Sequence, residues 1–158
     1  MNNKIKCNVY GKECTLIINK FKAIESLDFI LDMINFLPEN IILPNTEQTL
    51  LSKDTIKYII FMIMDVGETV EITEEQKSMI SELKEMNLIK LIIKEAYLNS
   101  NNDDRAYIRE QLFSLLKFEQ GNITGEIDTY FKTNKSIFNA LIKIMEFNYN
   151  DFFLMTDI

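Results

Sequence analysis

The chain has 158 residues, 47% hydrophobic and 26% charged, with only four Gly and two Pro, and this composition predicts a compact, helix-rich globular unit rather than a disordered chain. Its formal net charge of -7 argues against nucleic acid and anionic membrane surfaces as partners. The absence of His removes the commonest general base and the commonest transition-metal ligand. We therefore expect a protein without a catalytic site, a metal site or a cofactor.

Neither a membrane anchor nor a secretory leader is predicted. The longest wholly apolar run, Tyr58 to Met64, is far shorter than the ~20 residues that cross a bilayer, and the N-terminus lacks the pattern of a cleaved leader. We expect a cytoplasmic and/or nuclear protein. Cys7 and Cys14 are the two cysteines, and we expect reduced thiols, with a bridge across a hairpin as the geometric alternative.

The residue pattern of the N-terminal third predicts strands before and after one helix. Apolar and polar residues alternate on both sides of Tyr10-Gly11-Lys12-Glu13, which predicts a β-hairpin over residues 5 to 18. Apolar residues at three- and four-residue spacing then predict an amphipathic helix from about 23 to 36, which ends before Pro38. A third short strand, residues 40 to 43, is stopped by Pro44, which cannot donate to a ladder.

The rest of the chain predicts helices, over about 53–65, 74–86, 88–98, 104–118 and 135–147. The first of these follows Ser52 as N-cap and is apolar almost all round, so that it is either a core helix or one that presents Tyr58, Phe61 and Met62 to a partner. The apolar tail at residues 152–155 has the same two interpretations.

The order strand, strand, helix, strand and then helices resembles the BTB/POZ fold. Within it, "IILPNTEQTLLSKDTIKY", residues 41 to 58, is similar to the Skp-type adaptors of cullin-RING ubiquitin ligases, where a short strand ends in Leu-Pro-Asn and the next helix reaches a Tyr. The matching positions are Leu43, Pro44, Asn45, Thr49, Leu51, Lys53 and, shifted by one, Tyr58. Two further segments match in the same order, "MNLIKLIIK" at 86–94 and "AYIREQLF" at 106–113. The chain departs from the family in lacking its Trp-containing C-terminal segment.

This resemblance implies an α+β, BTB/POZ-like core over residues 1–98, with a C-terminal helical extension over 99–158 packed on it. It implies a non-enzymatic adaptor that links a cullin-type scaffold to a client, such as an F-box-like protein. The resemblance implies a cullin-facing surface near Asn45, Thr49, Glu85, Met86 and Asn87 and a client-facing one around Tyr107, Ile108, Leu112 and Phe113, and the apolar helix adds Tyr58 to these partner-binding residues.

The alternative hypothesis is an all-helical protein with a groove for a partner's amphipathic helix, like the helical host-response modulators of large DNA viruses. It accounts for the helical segments but not for the hairpin. A third hypothesis, a small enzyme, is not supported by any group of residues with the pattern of a catalytic site. Self-association into a homodimer through exposed strand edges or helices stays open.

Overall fold

The computed structural model describes residues 2–9, 11–43, 50–64, 73–85, 87–119 and 130–149, without the side chains at positions 63, 64, 76, 79, 80 and 83–85. The described elements, in chain order, are β1 (Lys4–Val9), β2 (Lys12–Ile18), α1 (Ala23–Asn35), β3 (Asn40–Ile42), β4 (Leu50–Ser52), α2 (Lys53–Met64), α3 (Glu74–Glu85), α4 (Leu88–Asn99), α5 (Asn102–Phe113), β5 (Leu116–Phe118) and α6 (Asn134–Tyr149).

The larger sheet has three antiparallel strands in the order β1-β2-β5. β1 and β2 form the predicted hairpin, and Gly11 turns the chain with a φ of 81°, a conformation that favours glycine. Cys7 and Cys14 lie opposite each other in this hairpin, and both are free thiols. β5 pairs with the other edge of β2, so that β2 is the central strand.

Buried residues of this sheet and of the helices share one core, and α4 has several helix neighbours in it. It packs against α6, α1, α3 and α5. Its buried side chains, such as Ile92 and Ile93, meet those of α6, such as Ile144 and Met145, in one continuous core. Because these residues recur at three- and four-residue spacing, each helix contributes one apolar face to that core.

Side-chain caps explain where several helices begin. The Ser52 hydroxyl accepts a hydrogen bond from the Thr55 N–H at 3.1 Å, which confirms the predicted cap of α2. Asn101 caps α5 by accepting from the Asp104 N–H at 2.8 Å. At α6 the Thr133 and Ser136 hydroxyls each accept from the other's N–H, both at 3.1 Å.

The end of α6 is tied to the connection between β2 and α1. The Asn148 side chain accepts from the Phe21 N–H at 2.8 Å and donates to the Asn19 carbonyl at 3.3 Å. The Tyr149 hydroxyl donates to the Ser26 carbonyl at 2.8 Å, and its ring is fully buried. Residues near both ends of the described chain therefore stabilise one another directly.

The predicted α+β class is confirmed, and the sheet contradicts the all-helical alternative. The prediction of one helix over 104–118 is wrong at its end, because α5 stops at Phe113 and residues 116–118 form β5. These residues complete the open edge of β2, and that pairing prevails over a further helical turn. β4 is not predicted at all. The BTB/POZ assignment and the division at residue 98 stay predictions, and the apolar tail lies outside the described residues.

Candidate protein-binding surface

The small sheet exposes a pair of large apolar side chains. In β3 and β4, Ile41 and Leu51 pair and are buried, whereas the next pair, Ile42 and Leu50, lies on the other face. Ile42 is 66% exposed and Leu50 is 59% exposed. Alternation along the two strands thus turns one pair into the core and the other to solvent.

The helix that follows β4 without a break has two apolar faces. Ile56, Ile59 and Ile60 are buried in the core. On the opposite face Tyr58 is 56% exposed and Phe61 is 41% exposed, with Lys57 beside them in the chain. The core interpretation of this helix is therefore correct for one face, which includes Met62, and the binding of a partner by Tyr58 and Phe61 on the other face stays a prediction.

We call the four exposed side chains Ile42, Leu50, Tyr58 and Phe61 the β3–α2 surface. They come from a single stretch of chain, residues 42 to 61. Large apolar side chains that are exposed as a group are one mark of a surface that binds another protein, whereas scattered single ones are ordinary. The apolar character of the β3–α2 surface and its flanking polar residues suit a protein partner.

The predicted cullin-facing residues are only partly described. Asn45, Thr49 and Met86 lie outside the described residues, as does the side chain of Glu85. Asn87 is exposed, and its backbone is in the left-handed conformation with a φ of 53°. Its side chain accepts a hydrogen bond from the Lys90 N–H at 3.2 Å and donates one to the Glu146 carboxylate at 3.1 Å. Asn87 therefore caps α4 and joins it to α6, whatever else it binds.

The predicted client-facing residues lie mainly in the interior. Ile108 and Leu112 are fully buried, and the buried Phe113 ring stacks on that of Phe131 at 5.3 Å between centroids. Tyr107 is half-buried between α5 and α1. Their role in partner binding stays a prediction, and in this arrangement the three buried side chains would reach a partner only if α5 moved.

Tyr107 and Asp32 form a polar contact inside this packing. The Tyr107 hydroxyl donates to the Asp32 carboxylate at 2.7 Å, and its ring lies 6.2 Å from that of Phe36 and 6.4 Å from that of Phe29. Burial, followed by the hydrogen bond to Asp32 and the negative charges of Asp32 and Asp28, raises the pKa of Tyr107 to about 12.

This raised pKa predicts an alkaline loss of stability. Because the folded chain holds the Tyr107 proton more tightly than the unfolded chain does, the stabilisation is complete below pH 10 and disappears as the pH rises to about 12. Urea unfolding across this range is expected to show a steeper loss for the wild type than for Tyr107→Phe. Equal pH dependence in the two proteins would contradict the hydrogen bond between Tyr107 and Asp32.

No family model, curated protein or solved structure matches this chain. Within the described part of the chain, no helix is both long and apolar enough to cross a membrane. The same residues bring no three Cys, Asp or Glu side chains close enough together to hold a metal ion. The function is therefore inferred from the exposed surfaces of the fold.

Sequence reasoning identifies half of the β3–α2 surface. The apolar pattern of the helix predicts that Tyr58 and Phe61 are candidates for partner binding. Nothing in the sequence analysis predicts the same of Ile42 and Leu50. The available signal for Ile42 is its place beside Ile41 in a three-residue strand, where only one of two neighbours can face the core. Leu50 has no such signal, because its strand is recognised only through its pairing with β3.

Proposed function

We propose that this protein is a non-enzymatic adaptor that binds another protein through the β3–α2 surface. The observation that supports it best is the exposure of Ile42, Leu50, Tyr58 and Phe61, between 41% and 66%, within one short stretch of chain. Burying such side chains on association is favourable by about 25 cal/mol per Å² of apolar surface. Aromatic anchors such as Tyr58 and Phe61 commonly dominate the binding energy of an interface.

The resemblance supports a cullin-type scaffold as the partner. The segment similar to the Skp-type adaptors, residues 41–58, supplies Ile42, Leu50 and Tyr58. Under this proposal the apolar side chains bind the scaffold, and the exposed charges of Asp54 and Lys57 lie at the rim and govern association rate and specificity. An F-box-like or other client would bind elsewhere on the chain.

The double variant Tyr58→Asp, Phe61→Asp tests this proposal. Both side chains are exposed, so the fold is expected to tolerate them, whereas two carboxylates without partners would be desolvated in the interface. Binding to the purified N-terminal region of a cullin, measured by isothermal titration calorimetry, is expected to weaken by about a hundredfold. Lys94→Glu, which makes the same change in net charge at an exposed position of α4 outside this surface, is the matched control and is expected to bind within a few-fold of the wild type.

Two results would contradict different parts of the proposal. If the wild type does not bind the cullin but retains another protein that the double variant loses, the adaptor role stands and the ubiquitin-ligase role falls. If the double variant retains every partner of the wild type, the β3–α2 surface is not the binding site. Circular dichroism of both variants shows whether they keep the wild-type fold.

A further inference from the structure

A groove lies between the outer edge of β1 and the N-terminal half of α6. Its volume is about 420 Å³, within the range typical of ligand sites. Residues 5–8 of β1 form one wall, and Ser136, Asn139 and Lys143 of α6 form the other. Apolar side chains, including Phe131 and Ala140, also line it. We call it the β1–α6 groove.

The backbone of β1 presents open hydrogen-bonding groups to this groove. The Ile18 N–H donates to the Asn3 carbonyl at 2.7 Å, and the register of the hairpin then makes Ile5 and Cys7 the residues whose N–H and C=O groups bond to β2. The N–H and C=O groups of the alternate residues, Lys4, Lys6 and Asn8, point away from β2. They form the free edge of the three-stranded sheet.

At one end of this free edge, the outward backbone groups already have hydrogen-bond partners. At Lys4, the N–H donates to the Asn2 side chain at 3.0 Å, and the carbonyl accepts from the Lys143 ammonium. At Lys6 and Asn8, by contrast, no strand among the described residues pairs with the outward N–H and C=O groups. An edge strand with open groups beside a groove is the arrangement in which an extended peptide adds to a sheet.

The charge of the groove selects the kind of peptide. Three lysines, Lys6, Lys132 and Lys143, contribute to its described lining, which contains neither Asp nor Glu, although Lys6 pairs with Glu13 of β2 at 3.9 Å. This is the opposite of the chain as a whole, whose formal net charge is -7. The N-terminus of α6, with the positive end of its dipole, adjoins the same groove at Thr133.

We propose that the β1–α6 groove binds an acidic, extended segment of a partner protein, which pairs with Lys6 and Asn8 as a further strand of the sheet. Backbone hydrogen bonds to β1 hold the segment, and Lys132 and Lys143 select its acidic side chains. This site goes beyond the adaptor role assigned to the β3–α2 surface and uses none of that surface's residues. A chain with both surfaces could hold two proteins at once.

Peptide probes test the strand pairing on the unaltered protein. The probe is a fluorescein-labelled peptide of about eight residues with alternating Glu and Val, long enough to span the edge of β1. We expect it to bind, and a peptide with Lys in place of Glu to bind at least about tenfold more weakly. Two further probes carry N-methyl groups on the backbone nitrogens of every second residue, one probe on all the Glu and the other on all the Val. Only one edge of the peptide faces β1, so we expect one of these two methylated frames to lose binding and the other to keep it.

Variants of the protein locate the site. Lys132→Glu combined with Lys143→Glu is expected to weaken the probe at least about tenfold, whereas Lys57→Glu combined with Lys90→Glu, which makes the same change in net charge at exposed positions elsewhere, leaves binding within a few-fold. Lys6→Pro removes an outward N–H without removing a bond to β2, and it is compared with Lys6→Ala. Only the Pro variant is expected to lose the probe.

Three results would overturn the proposal. Equal binding of the Glu and Lys peptides would show that charge does not select the occupant. Equal binding of both methylated frames would show that the peptide does not pair with β1, and this result does not depend on whether Lys6→Pro folds. A wild type that binds no probe but forms a dimer lost in Lys6→Pro would assign the edge to a second copy of the chain. Binding of cullin by the β3–α2 surface is measured separately, so either proposal can fail alone.

Discussion

Tyr149→Ala is expected to lower the free energy of unfolding by about 3–5 kcal/mol, the range for removing a fully buried aromatic side chain. Tyr149 has no exposed surface, and its ring lies 6.4 Å from that of Phe21. Truncation leaves a cavity between α6 and the start of α1. It also removes the donor to the Ser26 carbonyl, a bond of 2.8 Å. Urea unfolding followed by circular dichroism measures the loss.

Two further variants separate the contributions to this effect. Tyr149→Phe keeps the ring and removes only the hydroxyl, so it is expected to cost about 1 kcal/mol. Leu98→Ala, on the exposed side of α4, is the control for an apolar truncation without a cavity and is expected to change stability by less than about 0.5 kcal/mol. A loss below about 1 kcal/mol for Tyr149→Ala would contradict the docking of the end of α6.

The second large effect is expected at β5, where Lys117→Pro should lower the free energy of unfolding by about 1–3 kcal/mol, the range for leaving a hydrogen-bonding group without its partner. The Asn19 N–H donates to the Leu115 carbonyl at 2.8 Å, and the Glu119 N–H donates to the Thr15 carbonyl at 3.1 Å. In that register Lys117 and Ile17 are the pair between them that exchanges both backbone bonds. Proline at position 117 removes one of these bonds and leaves the Ile17 carbonyl without its donor.

Lys117→Ala is the matched control, because the Lys117 side chain is exposed and its loss leaves the backbone bonds intact. We expect it to change the free energy of unfolding by less than about 0.5 kcal/mol. Equal stability of the Pro and Ala variants would mean that residues 116–118 do not pair with β2. Amide hydrogen exchange at Ile17 gives an independent measure of that pairing.

The elements that the sequence predicts well are those whose residues form a long local pattern. The hairpin around Gly11 shows alternation on both sides of a turn, and α1 shows its three- and four-residue spacing over 13 residues. β4 and β5 have three residues each, too few to show a period, and both are recognised only through their pairing, β4 with the nearby β3 and β5 with the distant β2. Leu116 and Phe118 therefore resemble the continuation of a helix until β2 is known to have an open edge.

The surfaces are harder to predict than the elements, for a related reason. Apolar spacing identifies Tyr58, Phe61 and Ile108 as residues that favour burial, but it does not show which of them the fold covers. Ile108 is covered by the core, and Phe61 is not. The β1–α6 groove joins residues 5–8 to residues 130–143, more than a hundred positions apart, and its open backbone groups follow only from the strand order.

The bonds from Asn148 and Tyr149 to the connection between β2 and α1 span 123 to 129 positions of the chain. During synthesis on the ribosome, the β1–β2 hairpin emerges before β5 and before the end of α6, so it lacks both partners at first. Contacts of such long sequence separation slow folding, because a large loop must close before they form. The open edge of β2 is meanwhile exposed to other nascent strands, and a chaperone that shields this hairpin would raise the yield of native protein.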